Sequence, residues 1–400
     1  MKKEKVMIIT LMRSDLYDNS RYIGSHLELP ASRDEIQEAL HQARITGNQK
    51  YKIVECCDMD WEELEYVPKN PSLNKLNFLA YRIQELSAQE RIAFAGCAMQ
   101  RGEKLTMQDL INQTYNLDEV QVIAAKNDKE LGKFYVENGF VDAFNHVPGQ
   151  YQEELLKMVD YGKIGYSQRN AEGGIYWDGY YIVNCSREWK AIYDGIHLPQ
   201  FPEEPSYVFE LEIANAFDPK VDETEKRTLL RLPAYEKEIF DALKKVDAET
   251  LDDCVFYHYD TPFPSLEQVF SFDTDISRMN LLAGRIRELE TAGELPKFKA
   301  ALELTDCVLI DLVLDLTQNL DCYDFYPELS TAEDYAIREF INRYQIPENE
   351  PVLKVFQYYQ CDPKDVKAAN IAVTPYGIIR RNDREMKLEQ STEHIGPQMI

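Results

Sequence analysis

The stretch LELPASRDEIQEAL, Leu27 to Leu40, returns as LRLPAYEKEIFDAL at Leu230 to Leu243, with eight of fourteen positions identical. Further along, LNKLNFLAYRIQEL (Leu73 to Leu86) returns as ISRMNLLAGRIREL (Ile276 to Leu289), with seven of fourteen identical. Asn116-Leu117-Asp118 likewise returns as Asn319-Leu320-Asp321, and all three pairs lie 203 residues apart. One such match can arise by chance. Three in one register indicate a tandem duplication.

The two copies share a local logic. Each opens with an extended apolar stretch, VMIITLM from Val6 and YVFELEIANAF from Tyr207, and then reaches Leu-x-Leu-Pro. Ser32 and Glu35 have the spacing of a capping box, and Ile36, Leu40 and Ala43 then recur at helical spacing. Tyr235 replaces Ser32 in the second copy, so that helix is expected to start without the cap. Tyr51 to Cys57 and Cys254 to Asp260 are rich in β-branched and aromatic residues and read as strands. Leu76, Leu79, Ile83 and Leu86, with Met279, Leu282, Ile286 and Leu289, predict a helical core stripe in each copy. Arg82 and Glu85, like Arg285 and Glu288, are spaced to pair on a neighbouring face. Further helices are expected over Glu130 to Glu137 and Asp334 to Asn342, and short aromatic strands after Gly174 and Asn370.

The predicted fold class is therefore α+β: two tandem homologous repeats, each of small mixed α/β subdomains around a helical middle, elongated overall. The predicted divisions are 1–196 for the first repeat, 197–206 for a linker, 207–381 for the second repeat and 382–400 for a polar tail. The linker carries three prolines and is expected to be a stiff spacer.

Composition narrows the function classes. Hydrophobic residues are 44% of the 400, enough to build packed cores rather than a disordered chain. Seventy acidic against 44 basic residues give a formal charge of −26, which disfavours direct nucleic-acid binding and favours basic partners or solubility. The surplus is uneven: residues 1–200 hold 30 acids and 23 bases, residues 201–400 hold 40 and 21. Eight scattered cysteines without CxxC spacing are expected to be reduced thiols. The first apolar run is broken by Arg13 and Asp15, too soon for a signal-peptide core or a membrane span, so a cytoplasmic location is expected.

Signatures of chemistry are sparse. The chain has no GxxxxGK[ST] loop, no GxGxxG after a strand and no GxSxG elbow. No histidine has metal-ligand spacing to another His or Cys. Cys254 and His258 would stand about 13 Å apart along one strand face, too far to chelate one ion. Asp58 and Asp60 are the obvious carboxylate pair for metal chemistry, but Thr261 and Phe263 occupy the equivalent positions of the second copy. The expectation is a protein that is not an enzyme and has no cofactor or metal; a carboxylate- or Mg-dependent hydrolase is the weaker alternative.

The order of these motifs resembles a known family. A first strand, a polar loop, Gly24, Leu27-x-Leu29-Pro30, a strand and then the Leu-Asn-x-Leu-x-x-x-Ile-x-Glu-Leu helix are similar to the N-terminal and central parts of ArdA-type antirestriction proteins. Val159-Asp160-Tyr161, Gly174-Ile-Tyr and Gly179-Tyr180 resemble that family's C-terminal segment. The likeness covers about residues 5–183 well and 206–380 more loosely. It implies an acidic DNA mimic, carried by a mobile genetic element, that occupies the DNA site of a type I restriction-modification or related defence enzyme. It also implies no catalysis, no cofactor, no direct nucleic acid and no membrane partner. Family members are usually homodimers, so a chain with two copies is expected to be a monomeric pseudo-dimer or a homodimer. A non-catalytic regulatory or scaffolding module binding another basic protein is the alternative within the same fold.

A mimic must match a charge density of about one per 1.7 Å of duplex axis while keeping cations away. The candidate carboxylates in the first copy are Asp58, Asp60, Glu62, Glu63 and Glu65, around Trp61. In the second they are Asp311, Asp315, Asp321, Asp324, Glu328, Glu333 and Asp334, with few cations between them along the chain. The lopsided charge further predicts that the second copy carries most of the mimicry.

Overall fold

The computed structural model describes residues 4–18, 23–47, 49–58, 71–101, 105–185, 188–200, 206–218, 226–267, 270, 274–305, 307, 309–347, 350–358 and 370–389. The architecture is mixed α and β, with small three-stranded sheets. The first half runs β1 (Met7–Arg13), α1 (Ser14–Asp18), β2 (Gly24–Leu29), α2 (Arg33–Gln42), β3 (Tyr51–Asp58), α3 (Leu73–Gln84), α4 (Ala88–Arg101) and α5 (Met107–Gln113). It continues with β4 (Val120–Ile123), α6 (Asp128–Glu137), α7 (Asp142–Asn145), α8 (Gly149–Met158), α9 (Tyr161–Glu172), β5 (Ile175–Trp177) and β6 (Tyr180–Asn184). The second half runs β7 (Phe209–Asn215), β8 (Thr228–Leu232), α10 (Glu236–Val246), β9 (Cys254–Asp260), α11 (Ile276–Ala292), α12 (Leu295–Thr305) and α13 (Ile310–Gln318). It ends with β10 (Tyr323–Tyr326), α14 (Ala332–Tyr344), β11 (Ile371–Thr374) and β12 (Gly377–Arg381).

Sheet order corresponds between halves: β2-β1-β3 with β8-β7-β9, and β4-β6-β5 with β10-β12-β11. The period-two burial of β2 and of β7 is the signature of strands with one face on a core. One side-chain device also recurs. Asn77 accepts from the Ala31 N–H at 2.7 Å and donates to the Ala31 carbonyl at 2.9 Å. Asn280, 203 residues later, does the same to Ala234 at 2.7 and 3.1 Å. In each case the amide satisfies both backbone groups of the residue after the Leu-Pro pair, and so ties the end of β2 or β8 to the following helical layer.

Chain contacts divide the molecule into two units that do not follow the linear repeats. One comprises 1–10, 27–31 and 53–203; the other comprises 11–26, 32–52 and 204–400. The first unit is built on α3, whose Leu76, Phe78, Leu79 and Ile83 are buried as the helical spacing predicts. Arg82 hydrogen-bonds the Thr114 hydroxyl at 3.3 Å and stacks on the Tyr115 ring, whereas Arg285 makes the expected pair with Glu288 at 2.9 Å. Helices α6 and α9 cross at Gly132 and Gly165; a Cβ at either would fall within 2 Å of the opposing backbone, so only glycine fits. After β6 the chain returns to α5. There the Asn116 side chain clamps the backbone of Lys190, accepting at 2.7 Å and donating at 2.9 Å. Asn112 clamps Tyr193 at 2.8 and 2.9 Å.

The second unit has one large core, running from Val208, Phe209 and Leu211 of its first strand region through Leu282, Phe298 and Leu314 to Tyr376 and Ile379. Its segment after β12 docks as the first unit's does: Asn319 accepts from Lys387 N–H at 2.7 Å and donates to its carbonyl at 2.8 Å. Asp315 accepts from Glu389 N–H at 3.0 Å. Residues 382–389, expected to open a polar tail, are therefore held in place by backbone hydrogen bonds; 390–400 lie outside the described residues.

Both capping helices of the repeats start as reciprocal devices, though unequally. Ser32 Oγ accepts from Glu35 N–H at 3.2 Å while Glu35 accepts from Ser32 N–H at 2.7 Å. Tyr235 makes no side-chain cap hydrogen bond, yet Glu238 still accepts from its N–H at 2.8 Å. Half of the box survives the substitution.

Candidate functional site

The structure places the sequence-predicted carboxylates in three groups. Asp58 is the last residue of β3, and Asp60, Glu62, Glu63 and Glu65 lie outside the described residues. Asp311 and Asp315 are buried on α13, Asp315 at 1% exposure. Asp311 takes a hydrogen bond from Arg278, and Asp315 holds the backbone of Glu389. A carboxylate enclosed in this way cannot stand in for a surface phosphate, so these two leave the proposed array: the scarcity of cations along the chain does not reveal that both face inward.

The remaining five sit around β10 and the start of α14. Asp321 and Glu328 are exposed, and Asp324, Glu333 and Asp334 are half-buried. Asp334 accepts from Ser330 and Thr331 N–H groups at 3.1 and 3.2 Å, which caps α14. The expectation of few neighbouring cations fails in space. Asp324 pairs with Arg380 at 2.7 Å, Asp321 with Arg384 at 3.1 Å, and Glu328 with Arg338. Two of these arginines come from β12 and the segment after it, because β10 and β12 are paired antiparallel with Asp324 opposite Arg380. Burial alone would raise the Asp324 pKa, but hydrogen bonds from Arg380 and Asn382 hold it below the usual carboxylate range.

A second charged constellation, which the sequence reading missed, lies inside the same unit. Helix α2 packs there with three groups facing inward. Asp34 receives a two-pronged hydrogen bond from Arg287, at 2.9 and 3.1 Å, and also accepts from the Ser206 hydroxyl at 2.8 Å and the Tyr207 N–H at 3.2 Å. Glu38 pairs with Lys299, which is only 2% exposed, and accepts from the Tyr376 hydroxyl at 2.6 Å and the Gln42 amide at 2.9 Å. The Lys299 ammonium also lies 4.5 Å from the centre of the Phe263 ring. Just past the helix, Arg44 donates to the carbonyls of Leu329, Thr374 and Pro375. Burial pushes the Arg44 pKa down to about 10 and lowers that of Lys299.

His41 completes this constellation. Its Nδ1 lies 3.5 Å from Lys299 Nζ. Burial first, and the Lys299 charge second, push its pKa down to about 4. The neutral ring can accept from the ammonium; a protonated ring beside it would add a second buried cation. One sequence signal was available for this site: Lys299 lies in the apolar run Phe298-Lys299-Ala300-Ala301, where an unpaired lysine would be costly.

Chemically, these groups neutralise one another. Every polar atom of the Asp34 and Glu38 carboxylates has a donor. Among the described residues no group of three or more His, Cys, Asp or Glu is placed to hold a metal ion. No described helix is long and apolar enough to cross a membrane. No protein-family model and no curated protein matches the chain.

Proposed function

We propose that this chain is an acidic, non-catalytic antirestriction protein that occupies the DNA-binding site of a type I restriction-modification or related defence enzyme in place of duplex DNA. One observation carries the reading: burial removes almost none of the acidic surplus. Among the described residues the buried carboxylates are Asp34, Glu38, Asp311 and Asp315, and the buried cations are Arg13, Arg44 and Lys299. Burial therefore takes only one net negative charge out of the described residues' acidic surplus, and the rest stands where it can meet a basic groove. The resemblance in motif order to ArdA-type proteins supplies the target class.

The paired acids at the surface fit this use. Asp321 with Arg384 and Glu328 with Arg338 are exposed pairs, worth little to the fold and open to exchange with a target's own arginines. In a restriction assay with a purified type I enzyme, the triple variant Asp321→Asn, Glu328→Gln, Glu333→Gln is expected to need several-fold more protein for half-inhibition. Unchanged inhibition by that variant would remove this face from the account, and failure of the unmodified chain to inhibit would remove the function.

A further inference from the structure

Helix α14 carries an aromatic strip on its outer side. Glu333, Ile337, Phe340 and Tyr344 follow one another at steps of four, three and four residues, which places them within about 60° of arc on one helix face. Tyr335, the buried residue of the helix, stands on the opposite side. Phe340 is 41% exposed and Tyr344 62%, and their ring centres lie 4.6 Å apart. The short 3-10 helix Pro351–Tyr358 adds a third ring: Phe356 meets Phe340 edge-on at 5.5 Å. The ring distances show one contiguous cluster, two of whose members the fold leaves open to solvent. Such a patch marks an interaction surface.

What stands beside the rings identifies the occupant. The strip begins at Glu333, one of the carboxylates proposed above to meet a basic groove, so the rings continue that face along the same helix. Arg343, the cation next to Tyr344 in sequence, lies about 100° round the helix from it and off the strip. A groove that binds duplex DNA is lined with arginine and lysine. Of the two, the planar guanidinium is the one that stacks on aromatic faces. This chain holds its own arginines in the same way, by a carboxylate and a ring together. Arg338 pairs with Glu328 and lies 4.8 Å from the centre of the Tyr326 ring. Arg227 pairs with Glu212 at 3.2 Å and lies 3.8 Å from the centre of the Tyr257 ring.

We propose that Phe340, Tyr344 and Phe356 form a stacking platform for arginine side chains of the partner's DNA-binding groove, beside the carboxylates that pair with its charges. The inference rests on the antirestriction reading. It is tested by displacement of a duplex from a purified type I restriction-modification enzyme by the full chain, at several salt concentrations. The double variant Phe340→Leu, Tyr344→Leu keeps apolar bulk but loses two ring faces, and is expected to raise the dissociation constant about tenfold. Its salt dependence should equal that of the unmodified chain, because no charge is removed. Tyr344→Phe keeps the ring and should bind within about twofold of the unmodified chain. Glu333→Gln should instead lessen the salt dependence. Circular dichroism checks that α14 is retained; should the double variant not fold, Tyr344→Leu alone, at an exposed position, is expected to lose about threefold. Leucine variants that bind as well as the unmodified chain, or a Tyr344→Phe variant as weak as Tyr344→Leu, would overturn the platform and leave the antirestriction reading standing. Failure of the unmodified chain to displace the duplex would overturn both.

Discussion

Arg287 of α11 grips Asp34 of α2 through two parallel hydrogen bonds, Nη1 to Oδ1 at 2.9 Å and Nη2 to Oδ2 at 3.1 Å, across 253 residues of sequence. Fork-to-carboxylate geometry is the strongest form of this interaction, and the Asp34 side chain is 5% exposed. The contact lies within the compact unit that joins residues 32–52 to residues 204–400.

Removing one partner should therefore be costly. Asp34→Ala leaves the Tyr207 N–H and the Ser206 hydroxyl without their acceptor and takes from Arg287 its two-pronged partner, and is expected to lower unfolding free energy by about 2–3 kcal/mol. Arg287 keeps Glu290 as a partner at 2.7 Å. A double-mutant cycle with Arg287→Ala, read by urea denaturation, should show a coupling of about 1–3 kcal/mol. Strict additivity would mean the pair is not formed.

Acid should loosen the same region through His41. Its folded pKa, pushed down to about 4, lies below the ordinary value of 6.5, so the unfolded chain binds the proton more readily between those values. Stability is full above pH 6.5 and falls as pH drops towards 4, by up to about 3 kcal/mol for this one group. His41→Gln should flatten the decline measured by urea midpoints from pH 7 to pH 4.5. An equally steep decline in the variant would place the acid sensitivity elsewhere.

The order of strands and helices was legible because it is written in local periodicity. The strand Cys254 to Asp260 and the helix near Glu130 to Glu137 lie where their residue patterns place them, and Asn77 and Asn280 are identical members of the repeat that proved to make the same clamp. What could not be read was partnership at long range. Asp321, Asp324 and Glu328 look free of cations along the chain, but the antiparallel pairing of β10 with β12 delivers Arg380 and the following turn delivers Arg384. Asp315 looked like one more surface acid because nothing nearby in sequence reveals that the chain returns seventy-four residues later to lay Glu389 against it. Nor does the α2 sequence reveal that its acids face Arg287 and Lys299, since partners more than 250 residues away leave no local trace.

The two asparagine clamps give a matched comparison. Asn77→Ala leaves the Ala31 N–H and carbonyl unpaired in a buried setting and should cost about 2–3 kcal/mol. Asn280→Ala does the same at the half-buried Ala234 pair and should cost about 1–2 kcal/mol. Chemical denaturation of both variants checks the order; a larger loss for Asn280→Ala would contradict the difference in burial.

Occupancy of a DNA site is the central claim, and an equilibrium competition tests it most directly. A fluorescent duplex bound to a purified type I restriction-modification enzyme is titrated with the unmodified chain at several salt concentrations. The account predicts complete displacement of the duplex, with the chain's apparent affinity falling steeply as salt rises because many surface charges are paired on binding. Binding of the chain to the enzyme with the duplex still in place, or no binding at low salt, would contradict it.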